Sequence, residues 1–478
     1  MASAKNKLPK NQLLEGPILR SLVTLAVPIV AANALQSAYQ LIDAFWVGRL
    51  GGAAVAAVSV SMPAMFLTFA IGSGLSMAGS TLIAQYVGAR NQRMVGHVAG
   101  QTLLMVALVS IVLGTIGFLG APVLLRLMGV ASEVYPGALG FMRVSFAGTL
   151  FTFTYFVFQS IMRGIGRPNL PVYIALGTVF LNFVLDPLFI FGWGPVPAYG
   201  VMGAAMTTFA SQAIAAGIGI AVLRLGLHGV HVRRGDFIPD FTYVKRAFFL
   251  GFPASIEMSA RAGALMVMSF LITSFGTLAL AAYGVASNVL QVIMIPAMGL
   301  SMAISTLVGQ NIGARNIERA AAIGRLGALI GFLGLAAFGL LVFMFPRSIV
   351  AFFVPNDAAV IAAGAEFLRI GAPAWGFLGL QFALTGVLRA SGNMVVTMVL
   401  TLVSQWVLQF PLAYVLSKHT SLDVHGIWWA FPITNFTIAL ITLSVFAKGD
   451  WQKKRLLDEE EVLTTRVSDD ILSGEQRR

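Results

Sequence analysis

Three carboxylates stand where the sequence leaves least room for charge. Asp43, Asp186 and Glu257 each lie deep within a run of apolar residues. A charged side chain inside a bilayer costs on the order of a few kcal/mol and is by default a sign of function. Two of the three have polar company at helical spacing. Gln36, Tyr39 and Asp43 fall at i, i+3 and i+7, and Asn182 and Asp186 at i and i+4, so each set shares one helix face. If the two faces meet, both carboxylates sit in one low-dielectric pocket with amide and hydroxyl partners, and they titrate as a pair. Such a pair takes up a proton, and the same hard oxygens suit Na⁺; spacing alone does not choose between them. A plainer reading makes these groups interhelical glue, but glue rarely needs two acids. Glu257 and Arg261 are also i and i+4. They either neutralise each other or present Glu257 to a substrate cavity.

The elements that must hold these groups are membrane helices. The 478 residues are 58% hydrophobic and 10% charged, with a mean hydropathy of +0.85; soluble domains carry about 25% charged residues. Apolar runs of roughly 20 residues span a bilayer. The sequence predicts twelve of them, near 19–47, 53–86, 95–119, 137–162, 170–193, 201–223, 246–272, 278–310, 320–345, 361–388, 394–417 and 424–447. The expected class is all-α: a polytopic membrane protein of 12 transmembrane helices in two pseudo-symmetric six-helix bundles. Its parts are an N-terminus (1–18), an N-lobe (19–223), a linker (224–245), a C-lobe (246–447) and a tail (448–478). Segments 121–135 and 346–357 read as interfacial, and the tail as soluble.

Basic residues concentrate in connections on one side. They include Arg90, Arg93, Arg163, Arg167, Arg315, Arg319 and Arg389, with the linker and both termini. The positive-inside rule then makes the termini cytoplasmic in a bacterial inner membrane. The net charge of +12 is thus a topology signal, and no nucleic-acid partner is expected. Without cysteine there is no disulfide. No histidine pair has metal-ligand spacing, and no phosphate-cradling glycine motif or nucleophile–base pair is visible. The expectation is therefore no enzyme and no cofactor, with any uphill transport driven by an ion gradient.

Half of the chain is written twice. Residues 74–91, GLSMAGSTLIAQYVGARN, return at 299–316 as GLSMAISTLVGQNIGARN, an offset of 225 with 13 of 18 positions identical. Pro28 pairs with Pro253 in the same register, and downstream an offset of 226 pairs Arg163 with Arg389 and Gly166 with Gly392. Repeats of six helices share one orientation, which implies an axis along the membrane normal and a cavity between lobes. The acids break the pattern, because Asp43 maps to Met268 and Glu257 to Ala32. A packing requirement would appear in both halves, so the asymmetry points to function. Pro28 permits a kink, either shared architecture or a hinge.

The segments QSAYQLIDAFWVGRLG in helix 1 and RGIGRPNLPVYIALGTVFLNFVLDPLFIFG around helix 5, with the two six-helix halves, resemble the multidrug and toxic compound extrusion (MATE) family over residues 15–447. The resemblance implies cation-driven antiport of amphipathic, often cationic compounds through a V-shaped cavity by alternating access, in a likeness to the DinF-like branch. It carries the N-lobe cation site onto Gln36, Tyr39, Asp43, Asn182 and Asp186, with Na⁺ an alternative to H⁺ at Asp43, Asn182 and Asp186, and helix bending onto Pro28. NorM-like members have acids on helices 7 and 10; this chain keeps only Glu257, which favours the N-lobe site with H⁺. The protein is expected to act as a monomer. The alternative is a lipid-linked oligosaccharide flippase, for which more helices and several cavity cations, beyond Arg261, would be expected.

Overall fold

The computed structural model describes residues 12–457. Lipid offers no partner for backbone N–H and C=O groups, so apolar runs of this length close their hydrogen bonds internally as helices. Among the described residues, twelve helices are long and apolar enough to cross a membrane: α1 Ile18–Gly48, α2 Gly52–Gly88, α3 Gln92–Leu127, α4 Tyr135–Gly164, α5 Asn169–Phe191, α6 Val201–Arg224, α7 Phe241–Thr273, α8 Thr277–Gly313, α9 Ile317–Met344, α10 Ala358–Ala390, α11 Met394–Lys418 and α12 Val424–Lys448. The protein is a multi-pass membrane protein.

The sequence repeat is also a packing repeat. In the first half α1 packs on α5, α2 and α3 on α4, and α6 on α4 and α5; in the second, α7 packs on α11, α8 and α9 on α10, and α12 on α10 and α11. The halves meet through α2 against α7, α1 against α8, and α2 against α8. Backbone detail repeats as well. Arg90 and Arg315, the arginines of the two GARN turns, both take left-handed φ values of 59° and 62°.

The duplicated motif forms the seam. A Cβ on Gly88 would lie 1.8 Å from the Gln310 carbonyl oxygen, and one on Gly313 would lie 1.9 Å from that of Gln85. Only glycine allows this approach. Gln85 donates from Nε2 to the Ala390 carbonyl at 2.8 Å, and Gln310 donates to the Gly164 carbonyl at 2.9 Å. Both bonds are buried, both cross between halves, and their partners are related by the repeat. Chain ends cap the same place: Leu13 packs against Gly166 and Leu456 against Gly392, while the Leu456 N–H donates to Gln85 Oε1 at 3.0 Å.

Three expectations need correction. The segment after helix 3 is not a separate interfacial stretch from residue 121, because α3 continues to Leu127 with Pro122 inside it. Its counterpart does carry a short helix, Pro346–Phe353. The chain after Lys448 is not simply soluble. Asp450–Lys453 is helical, Trp451 is buried beneath Phe446, and Leu456 and Leu457 are buried; residues 458–478 lie outside the described residues. Arg389 is not in a connection. It occupies the last turn of α10 with its guanidinium turned inward.

The linker is strapped down too. Gln101 of α3 donates to the carbonyls of Asp236 and Ile238, and Asp240 caps α7. Burial would raise the Asp240 carboxyl, but the Tyr243 N–H and His97 outweigh it and hold it below the usual range.

Gly88→Ala and Gly313→Ala should each destabilise the protein by forcing the seam apart; overpacking of this kind costs about 1–3 kcal/mol. Thermal unfolding in detergent checks this, with Gly120→Ala as the control, since that position has open space. Equal melting temperatures for all three variants would show that the seam tolerates the methyl group.

Candidate functional site

In the first half, α1, α5 and α6 bring Asp43, Tyr39, Asn182 and Asp186 together. Asn182 and Asp186 are fully buried and Tyr39 nearly so, while Asp43 is half-buried. Asn182 Nδ2 reaches three acceptors: Asp186 Oδ1 at 3.1 Å, Tyr39 Oη at 3.2 Å and Thr207 Oγ1 at 3.4 Å. Tyr39 continues the chain to Ser211 Oγ at 2.8 Å, and Ser211 donates to the Thr207 carbonyl at 2.9 Å. Thr207 donates closely to Asp186 Oδ1, and Thr208 donates to Asp43 Oδ2 at 3.4 Å. Asp43 thus joins the cluster through Thr208, the residue next to the Thr207 that serves Asp186. Helix spacing alone put Asn182 over Asp186; only the packing of α1 on α5 brings Asp43 to them.

Three residues of α6 were missed in the sequence. Thr207, Thr208 and Ser211 at i, i+1 and i+4 are a polar cluster in an apolar helix, a signal weaker than an acid because hydroxyls often satisfy themselves on the preceding turn. Gln36 is half-buried, and no described hydrogen bond ties it to the cluster. Pro28 lies inside α1, well removed along the helix from Asp43.

The cluster is rich in acceptors that lack a donor. Asp43 Oδ1, Asp186 Oδ2 and Asn182 Oδ1 are all buried with no hydrogen-bond partner. Buried acceptors of this kind need a donor or a cation, so the oxygens suit a proton, and equally a hard cation such as Na⁺. Among the described residues, no group of three or more His, Cys, Asp or Glu side chains could hold a metal ion.

The second half holds a different cluster. Glu257 is fully buried, and its Oε1 accepts from Arg389 Nη2 at 2.6 Å, Arg261 Nη2 at 3.3 Å and Thr401 Oγ1 at 3.2 Å. The expected Glu257–Arg261 contact is present, but the shorter bond is to Arg389, which sequence separation hid.

With this geometry in view, the comparisons are specific. The MatE family model matches residues 28–188 and again 253–415, each match opening on one of the paired prolines. The chain belongs to the MatE family. It is 30% identical over 462 residues to the probable multidrug resistance protein YoeA of Bacillus subtilis, covering 95% of this chain and 99% of that one. It is 27% identical to the probable multidrug resistance protein NorM of Thermotoga maritima, over 96% and 98% of the two chains. Among solved structures, an outward-facing multidrug resistance MATE family transporter of the MOP superfamily superposes with a TM-score of 0.84 at 25% identity, over 92% and 98% of the chains. A MOP superfamily transporter from Pyrococcus furiosus, described as having a binding pocket of reverse polarity, gives 0.85 at 25% identity, over 93% and 98%.

Thr207→Val should leave the MATE fold intact but displace the pH dependence of transport, because it removes a donor from Asp186 at nearly constant volume. A lost hydrogen bond to a buried charged group is worth about 1–3 kcal/mol, roughly one to two pH units. An unmoved profile would take Thr207 out of the site.

Proposed function

We propose that this MATE-family protein is a secondary active multidrug exporter, moving amphipathic and cationic compounds outward in exchange for H⁺, or for Na⁺. The coupling site is Asp43, Asp186, Asn182 and Tyr39, supported by Thr207, Thr208 and Ser211, with Gln36 at its edge. One observation carries this reading: two acids from separate helices share one buried polar cluster that the repeat does not duplicate. Protonation of the pair removes charge from the half-buried pocket. Deprotonation restores it, so the cluster is sensitive to which side of the membrane it faces. The multidrug-resistance names of the relatives support the exporter over an oligosaccharide flippase.

In this reading the N-lobe (19–223) and C-lobe (246–447) rock against each other, opening and closing the seam, with Pro28 as a hinge. The Gly88/Gly313 end is cytoplasmic, as are both termini, and the protein is a monomer of the bacterial inner membrane. The closed seam at that end corresponds to an outward-open state. The bending of α1 at Pro28 would change how Asp43 meets Asp186.

Asp43→Asn and Asp186→Asn should each abolish uphill efflux from proteoliposomes while the protein remains inserted and folded. Imposing ΔpH and ΔpNa separately identifies the ion. Wild-type transport by both variants, at matched protein levels, would remove the site.

A cross-link tests the alternating motion. The chain has no cysteine, and a Cβ on Gly309 would lie 3.0 Å from that of Ala84 across the seam, close to the roughly 3.5–4.5 Å between disulfide Cβ atoms. Ala84→Cys with Gly309→Cys should cross-link on oxidation and stop transport until reduced. Undiminished transport by the fully cross-linked protein would mean that this end never opens.

A further inference from the structure

The second-half cluster does not balance its charge. One carboxylate, Glu257, faces two guanidinium groups, Arg261 and Arg389. No other ion pair of Arg261 or Arg389 occurs among the described residues, and the other acids of this half lie toward the helix ends. Glu366, for instance, is half-exposed against His425 at 3.0 Å. The trio therefore keeps one net positive charge within the bundle. An uncompensated charge in a low-dielectric interior is costly and is resolved by drawing in a counter-charge.

The donor inventory agrees. Both arginines have a buried Nε–H with no acceptor. Glu257 Oε1 already takes three donors while Oε2 takes none, so the carboxylate is held as an internal anchor for the arginines. Glu257 is 1% accessible and Arg389 11%, whereas Arg261 is 27% accessible; the excess charge is presented through Arg261. Its guanidinium carbon lies 5.2 Å from the centre of the Phe382 ring. Trp406 bonds to the Ala260 carbonyl at 3.3 Å, and its ring sits 3.3 Å from where a Gly263 Cβ would be. Trp406 belongs to a π-helical stretch of α11, Val403–Gln409, a local irregularity often found at functional sites.

We propose that Arg261, anchored by Glu257 and Arg389 and flanked by Phe382, binds the anionic group of an amphipathic substrate, a carboxylate attached to an aromatic or apolar body. A guanidinium fork matches a planar carboxylate, and the Phe382 ring takes the apolar part, with Trp406, one helix face away at Ala260 and Gly263, as the reporter. This deepens the exporter reading and rests on it for transport. It adds to the transported compounds those bearing a negative group, and it makes Glu257 a positioning residue rather than a cation receptor.

The test is equilibrium binding by Trp fluorescence to the purified full chain in nanodiscs. The probes are 2-naphthoate, its methyl ester and 2-naphthylmethylamine, which differ in charge at similar size. The wild type should bind naphthoate at least tenfold more tightly than the ester or the amine. Arg261→Gln should remove that preference while leaving ester binding unchanged. The double variant Glu257→Gln/Arg389→Gln keeps the charge of Arg261 and should keep a preference for the acid. Equal losses for acid and ester in Arg261→Gln would overturn the proposal in favour of a packing role, and tighter binding of the amine by the wild type would overturn it in favour of Glu257 as a cation receptor. If Arg261→Gln fails to fold, Arg261→Lys, which loses the fork but keeps the charge, should show a reduced preference for naphthoate. The same measurements on Asp186→Asn separate the two readings. Naphthoate binding that persists there supports the anion site even if no ion gradient drives export.

Discussion

The close approach of two helix ends governs this architecture. Where α2 and α8 meet, each contributes a glycine that lets the opposite backbone carbonyl come within less than 2 Å of where a Cβ would be. At that separation the side-chain amides of Gln85 and Gln310 reach the terminal carbonyls of α10 and α4. Carbonyls in a last helical turn have no partner within their own helix, and here each is satisfied by the other half. The contact therefore links the halves and ends two helices at once. Close approaches at glycines continue along the same two helices, with Gly74 against Ser255 and Gly299 against Val30, so the halves touch well beyond these helix ends.

The repeat governs the scaffold and stops short of the chemistry. Helix pairings, GARN turns, inner prolines and crossing glutamines all recur. The carboxylates do not. A fused pair of bundles can keep its packing in both copies while each interior takes on its own charge, because packing at the seam and charge inside a bundle rest on different side chains. Arg163 and Arg389 illustrate this: they are related by the repeat, but only Arg389 meets an acid.

The two interiors have opposite electrostatic character. The first gathers two acids among neutral amides and hydroxyls and leaves three acceptor oxygens unpaired; the second gathers two cations around one acid and leaves donors unpaired. Each imbalance is costly to hold in a low-dielectric medium. The first leaves carboxylate and amide oxygens without a donor and the second leaves guanidinium N–H groups without an acceptor, so the halves differ in charge where their packing is shared.

The sequence by itself determined the membrane class, the twelve spans and the duplication, because each is a one-dimensional property: apolar run length, spacing of charge, and identity at a fixed offset. It singled out Asp43 and Asp186 for a similar reason, since an acid in a long apolar run stands out without any neighbour. Tertiary structure alone decided their partners. Thr207, Thr208 and Ser211 are ordinary polar residues until α6 packs on α5, and Arg389 reads as one more basic residue near a helix end until its side chain turns back into the bundle. The tail likewise read as soluble from its charge, though Trp451, Leu456 and Leu457 are buried against the body of the protein. These partners lie on other helices, from 21 residues apart for Thr207 and Asp186 to 371 for Leu456 and Gln85, and the periodicity of one helix contains no term for that.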